Sequence, residues 1–163
     1  MYIETTIDET ILSKVGISES EFKKNKVENG DIFFTRSSLV ASGIAKSNIY
    51  LGNSNDITFD GHLIRLRPKK ELVEPKFLYY LALTNNTRSQ MVAKGKTATM
   101  TTIGQSDIAS IHLQLPSNPK EQQKIASCLS SLDELITSQV EKIEQWKLHK
   151  KGLMQGLFPK VID

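Results

Sequence analysis

The sequence holds a single cysteine and a single tryptophan in 163 residues, only five prolines, and no long apolar run. Lone Cys128 excludes an internal disulfide and gives no support to a metal cluster. It falls beside an apolar seam, so a small, partly buried side chain is the expected reading rather than a reactive thiol. No stretch approaches the roughly 18 apolar residues that a membrane span requires. The opening Met1-Tyr2-Ile3-Glu4-Thr5-Thr6 has no basic region followed by an apolar one, so no secretory signal is expected and the cytoplasm is the expected compartment. Catalytic signatures are missing too: there is no Gly-x-Gly-x-x-Gly, Walker loop, His-Glu-x-x-His or Gly-x-Ser-x-Gly. Neither an Asn-Pro-Pro-Tyr motif of an amino-methyltransferase nor the Pro-Asp and Glu-x-Lys pattern of a metal-dependent nuclease occurs. His62, His112 and His149 are scattered. The expectation is a chain without a catalytic set, metal or cofactor of its own.

What is present begins with charge. The net +3 is unevenly divided: residues 1–60 carry six Lys or Arg against nine Asp or Glu, residues 61–115 carry eight against three, and residues 116–163 seven against six. The middle segment is where a polyanion would sit. Charged residues at 24% argue against wholesale disorder, and 39% hydrophobic is slightly low, as a two-sided helix would make it.

That helix is the dominant pattern. From about Pro119 to Phe158, Ile125, Leu129, Leu132, Ile136, Ile143, Trp146, Leu153 and Leu157 recur on alternating steps of four and three, with Gln139 and Lys150 as polar members of the same series. This rhythm keeps one seam facing a partner, the geometry of a coiled coil. About 38 residues would span roughly 57 Å, and nothing in the preceding 118 residues offers an obvious match, so a second chain is the expected partner.

Upstream, Ser18 with Glu21 three residues on reads as a cap opening a short helix. Asn29-Gly30-Asp31 is a turn, followed by a strand over Asp31–Arg36 rich in aromatic and β-branched residues. Loop is expected over Ser37–Ser42, then a strand at Ser47–Leu51. His62–Arg67 alternates as a strand with Arg65 and Arg67 on one face. Pro75 suits a first helical turn, with a helix to about Thr84 and a second over Arg88–Val92. Residues 94–102 read as a basic, hydroxyl-rich loop, and Ile111–Leu115 as a strand ended by Pro116. Short strands and helices without regular alternation predict an α+β fold, a small mixed globular domain over residues 1–117 followed by one long coiled-coil helix over 118–158 and a tail of 159–163.

The chemistry this suggests is binding. Arg65, Arg67, Lys69 and Lys70 form one basic cluster, and Arg88, Lys94 and Lys96 another. Lysine and arginine supply salt-dependent phosphate attraction, while hydroxyl and amide side chains position on phosphate or read base edges.

Several segments together sharpen that reading. Gly30-Asp31-Ile32-Phe33-Phe34-Thr35-Arg36 resembles the Gly-Asp-Ile-Leu-Phe-Thr-Arg stretch of specificity subunits of type I restriction–modification systems. Phe59–Pro68 resembles the strand that follows it there, and Pro75-Lys76-Phe77-Leu78-Tyr79-Tyr80-Leu81 their Pro-x-Phe-Leu-x-Tyr-Leu helix. Gly95 and the Thr97–Ile103 run occupy the place of their glycine/threonine loop. Leu113-Gln114-Leu115-Pro116 and Glu121-Gln122-Gln123-Lys124-Ile125 resemble the opening of their long helix, and Lys151–Phe158 its close. The likeness covers roughly residues 25–160.

This resemblance implies a target-recognition domain that reads one half of a split double-stranded DNA target. It implies a helix that serves as spacer and holds the methyltransferase subunit, and through it the restriction subunit. Methylation and cleavage would belong to those partners. A full specificity subunit has two recognition domains and two long helices; this sequence has one of each and lacks the usual opening stretch, as a natural half-subunit or a truncation would. The missing helix is then expected from a second copy, giving a two-fold dimer and an interrupted palindromic target. Expected DNA-facing residues are Thr35, Arg36, Ser37, Arg65, Arg67, Arg88, Lys94, Lys96, Thr97 and Thr99. The expected dimer seam is Ile125, Leu129, Leu132, Ile136, Gln139, Ile143, Trp146, Lys150, Leu153 and Leu157. The alternative is a protein-interaction module, a remnant or decoy that assembles through its helix without reading DNA.

Overall fold

Asn29-Gly30 turns the chain into its central strand, and Gly30 adopts φ +92°, a backbone state that glycine reaches without strain. The computed structural model describes Thr6, Ile7 and residues 9–158; the expected tail of 159–163 lies outside them. After a 3-10 turn at Glu9–Ile11 come α1 (Glu19–Asn25), β1 (Ile32–Thr35), β2 (Ser37–Ser38), a second 3-10 turn at Ala41–Gly43, β3 (Ser47–Ile49) and β4 (Leu63–Leu66). Then follow α2 (Pro75–Leu83), α3 (Asn85–Ala93), β5 (Lys96–Thr97), β6 (Thr101–Thr102), α4 (Gln105–Ala109) and α5 (Pro119–Leu157). This is the expected α+β arrangement of small sheets and one long helix.

Two antiparallel sheets of three strands organise the globular part, in the orders β3-β1-β4 and β2-β6-β5. β1 is buried on both faces. Ile32 and Phe34 join Ile49, Ile64, Leu78, Tyr79, Met91 and Ile103 in the main core. Phe33 points the other way, into a smaller cluster with Val27 and Tyr50. That double burial explains why all four β1 residues are apolar or, in Thr35, internally hydrogen-bonded.

The helices start where their caps allow. Ser18 Oγ accepts the Glu21 N–H at 3.3 Å, Pro75 occupies the first turn of α2, and Thr84 Oγ1 accepts the Thr87 N–H at 3.4 Å to open α3. Gln122, on the first turn of α5, is 2% exposed. Its amide accepts the Glu74 N–H at 3.0 Å and donates to the Pro116 carbonyl at 2.8 Å. The polar helix opening expected at 121–123 therefore contains a buried bracket between the N-termini of α2 and α5.

Three segments depart from expectation, the first being the loop expected over Ser37–Ser42, whose opening residues Ser37–Ser38 form β2 by pairing with β6. Ile111–Leu115 forms no strand. Its alternation is genuine, but the group that meets it is a side chain: the Gln90 amide donates to the His112 carbonyl at 3.1 Å and accepts the His112 N–H at 3.2 Å. Residues 94–102 form a hairpin, β5 and β6, rather than a loop. The β-branched threonines favour strands, and the Thr97 and Thr101 hydroxyls pair across it at 3.0 Å.

Two polar locks fix the chain around β1. Asp31 is 1% exposed. Its carboxylate accepts Arg67 Nε at 2.8 Å, Arg67 Nη2 at 2.7 Å and the Glu28 N–H at 2.9 Å. The hydrogen bonds to Asp31 hold the Arg67 pKa above its ordinary value. The Arg67 side chain is 39% exposed, which screens the pair. Asp31→Asn is therefore expected to cost about 2 kcal/mol rather than the full penalty of a buried charge, read as a lowered midpoint in urea with an unchanged slope.

Glu9 supplies the second lock. Its Oε1 accepts the Tyr50 hydroxyl at 2.6 Å and the N–H groups of Asn53 and Ser54 at 2.6 and 2.5 Å. The Tyr50 hydrogen bond foremost, and then the Ser54 amide, lower the Glu9 pKa from 4.5 to about 2. A depressed carboxylate stabilises the fold at pH above its unfolded value, and that contribution is lost as pH falls from 4.5 toward 2. An NMR titration of the Glu9 side chain is expected to show a midpoint near pH 2; one near 4.5 contradicts the lock.

Candidate nucleic-acid interface

The two groups of contact residues expected separately, around Arg36 and around Lys96, come together on the sheet β2-β6-β5. Ser37 pairs with Thr102 and Ser38 with Thr101. Lys96 pairs with that same Thr102, and Thr97 with Thr101. Arg36 joins the two sheets through its backbone: its N–H donates to the His62 carbonyl at 3.0 Å, and its carbonyl accepts the Ile103 N–H at 2.9 Å. A three-residue tip, Ala98-Thr99-Met100, closes the hairpin, with the Ala98 N–H donating to the Met100 carbonyl at 3.1 Å.

The side chains of Arg36, Lys94, Lys96, Thr97 and Thr99 are exposed, and Ser37 is half-buried. Among the described residues, neither Arg36, Lys94 nor Lys96 has an acidic partner. Gly95 lies between the two lysines because the site is crowded there. A β-carbon at that position would run into Ile44 Cδ1 and would sit 2.9 Å from Thr101 Cγ2. The result is a small hydroxyl-bearing sheet that carries Lys96, with Arg36 leading into β2 and Lys94 closing α3 just before β5, a surface suited to phosphate and base edges.

Other expected contacts are placed differently. Thr35 is not the exposed contact expected of it: it is 5% exposed, and its hydroxyl donates to the Gly43 carbonyl at 2.8 Å and accepts the Lys46 N–H at 2.9 Å, so that oxygen is already engaged. Arg65 donates to the Lys26 carbonyl and, at 3.4 Å, to the Lys24 carbonyl, with its guanidinium 5.2 Å above the Phe59 ring. Arg67 is held by Asp31, by Glu28 at 2.8 Å and by the Lys26 carbonyl at 2.8 Å. Arg88 donates to the Ile44 and Ser42 carbonyls, both at 2.8 Å, and burial lowers its pKa. These three arginines brace loops with donors that a phosphate would otherwise use. Ser38 and Thr102 join the sheet unannounced by the sequence, and Thr101, 3% exposed, supports it from beneath, because strands of two residues carry no readable period.

A broad groove of about 1460 Å³ on the same globular part is lined by Leu12, Val15, Ile17 and Phe22 together with Glu9, Glu19, Glu21, Asp56 and Asp60, with Lys14 its one lysine, and it reaches Thr35 and Ser37 at the edge of β2. Its acidic lining repels phosphate, which favours the sheet as the polyanion surface. Among the described residues no three His, Cys, Asp or Glu side chains converge as a metal site, and no helix is long and apolar enough to cross a membrane.

A family model, the type I restriction modification DNA specificity domain, matches residues 2–145. The chain belongs to that family. A curated relative described as a specificity subunit of the type I restriction enzyme MjaX of Methanocaldococcus jannaschii is 33% identical over 97% of this chain. The fold also resembles that of the HsdS subunit from Thermoanaerobacter tengcongensis (TM-score 0.55, 16% identity, 85% of this chain). A type I restriction-modification S subunit from M. genitalium is similar again (TM-score 0.57, 23% identity, 83% of this chain). This specificity domain spans only 38% of the length of the MjaX relative and 36% and 34% of the two solved chains.

The specificity domain divides into two compact units, residues 1–126 and 127–163, so the first turns of α5 belong with the globular unit. Within α5, Leu132, Ile136, Ile143, Trp146, Leu153 and Leu157 of the expected seam are 51%, 61%, 53%, 68%, 47% and 74% exposed. Gln139 and Lys150 are exposed as well, Ile125 sits at 36%, and Leu129 is half-buried.

Proposed function

We propose that this chain is the DNA-sequence-recognition element of a type I restriction–modification complex. It reads duplex DNA through the sheet β2-β6-β5, with Arg36, Lys94 and Lys96 on phosphate, Ser37 and Thr99 positioned for base edges or phosphate, and Thr97 on the opposite face from Lys96, where its hydroxyl pairs with Thr101. Helix α5 pairs with a second copy through its exposed seam and docks the methyltransferase subunit, and through it the restriction subunit. Methylation and cleavage belong to those partners, so the chain is not itself an enzyme and needs no cofactor; it works in the cytoplasm.

The observation that carries this reading is a hydroxyl-rich hairpin paired with β2 in a specificity-domain fold, with Lys96 in the hairpin and Arg36 and Lys94 flanking its strands, all without an acidic partner among the described residues. Selection from a random duplex library tests it. The expected result is enrichment of one interrupted palindrome, as a two-fold dimer demands. Binding without enrichment, combined with helix-dependent capture of the methyltransferase subunit, would establish the protein-interaction reading instead.

A further inference from the structure

The turn that follows β2 is tied down more densely than a surface connection requires. Ser38 Oγ accepts the Val40 N–H at 3.2 Å, and the Val40 carbonyl accepts the Gly43 N–H at 2.9 Å. Behind it three consecutive carbonyls are captured. Arg88 Nη2 donates to Ser42, the Thr35 hydroxyl to Gly43, and Arg88 Nη1 to Ile44, each at 2.8 Å. Ala45 then adopts φ +49°, a left-handed state disfavoured for a residue with a β-carbon, so the surroundings hold the turn against its own preference. At Gly43 a β-carbon would collide with the Ser38 side chain.

What this bracing presents is apolar. Leu39 is 81% exposed and Val40 61%, directly after the strand that carries Ser37 and beside the sheet bearing Arg36, Lys94 and Lys96. Two apolar side chains on a fixed backbone, continuous with a cationic surface, suit a duplex: the cations hold phosphate, and the thymine methyl is the apolar mark of the major groove. Fixing them beforehand removes an ordering cost on binding. The planar guanidinium spans carbonyls two residues apart, which a lysine ammonium does not reproduce.

Building on the DNA-reading function above, we propose that Arg88 is a positioning residue for sequence discrimination. It touches no DNA and holds the Ser38–Ala45 turn so that Leu39 and Val40 meet apolar base edges. The test compares full-length wild type, R88K, R88Q and L39A/V40A on the duplex selected by the wild-type chain and on a scrambled duplex, across a salt series. Arg88→Lys is expected to reduce the preference for the selected duplex about tenfold, and Arg88→Gln, which also removes the charge, to do so with the salt slope unchanged, because no phosphate contact is lost. L39A/V40A, which removes only exposed side chains, is expected to do the same with an unchanged melting temperature. A slope that falls in R88Q by about one per half-site, with preference intact, makes Arg88 a phosphate contact and overturns the proposal. Preference unchanged in L39A/V40A overturns it as well, whatever the folding of R88K. If wild type prefers no duplex, both the DNA-reading function and the Arg88 role fall; if wild type discriminates and the variants match it, only the Arg88 role falls.

Discussion

Replacing Arg36, Lys94 and Lys96 together by alanine is expected to weaken duplex binding about 10²–10³-fold per half-site near 0.1 M salt, since each phosphate contact contributes roughly one decade there through counterion release. The same variant should flatten the plot of log affinity against log salt by about one unit per contact removed. All three side chains are exposed and free of acidic partners among the described residues, so the fold should be indifferent to their loss. The contrast with Arg65 and Arg67 makes the prediction selective. Those guanidinium groups hold the segment from Lys24 to Asp31. Their replacement should lower the unfolding midpoint before it alters the salt slope. Equal effects of the two sets on the slope would remove the sheet from its special place.

The second large effect is expected at the seam. Between Leu132 and Trp146 the helix exposes an apolar edge broken by Gln139, and each apolar side chain buried there against a partner contributes about 1.5–3 kcal/mol. I136D/I143D places charge in the middle of that edge, where burial of an unpaired carboxylate is prohibitive. Light scattering should give twice the 18.3 kDa chain mass for wild type and the single mass for the variant. Both positions lie in the unit that begins at Ser127, so the globular unit should melt unchanged. A wild-type chain of single mass contradicts the pairing directly. If copies cross antiparallel at Gln139, positions seven residues to either side, Leu132 and Trp146, lie level with each other in opposed copies. Gln139 would then set register at some cost in stability.

Legibility followed the length of each pattern. The long helix was readable because its rhythm persists over nine steps, and β1 because a turn with an obligate glycine precedes a strand rich in aromatics. The hairpin was not, since strands of two residues are too short to show a period, and its threonines read equally as loop hydroxyls. The alternation of Ile111–Leu115 was real, but the partner was the Gln90 side chain, which no local pattern announces. Arg65 and Arg67 share a face as their spacing requires. What satisfies them comes from Lys24–Asp31, about forty residues earlier, a distance at which charge runs carry no information. Thr35 was misjudged for a related reason: at the end of a strand a hydroxyl looks available, and only the fold brings the Gly43 carbonyl to it. The site was thus half legible. Its cations and threonines were named, while the sheet that assembles them appeared only in three dimensions.

Hydrogen–deuterium exchange of the chain with and without its selected duplex distinguishes this sheet from the rest of the surface as the place where DNA is read. Protection is expected in Arg36–Val40 and Lys94–Thr102, with the acidic groove around Leu12–Phe22 unchanged. Protection at that groove, with none at the hairpin, would contradict that placement.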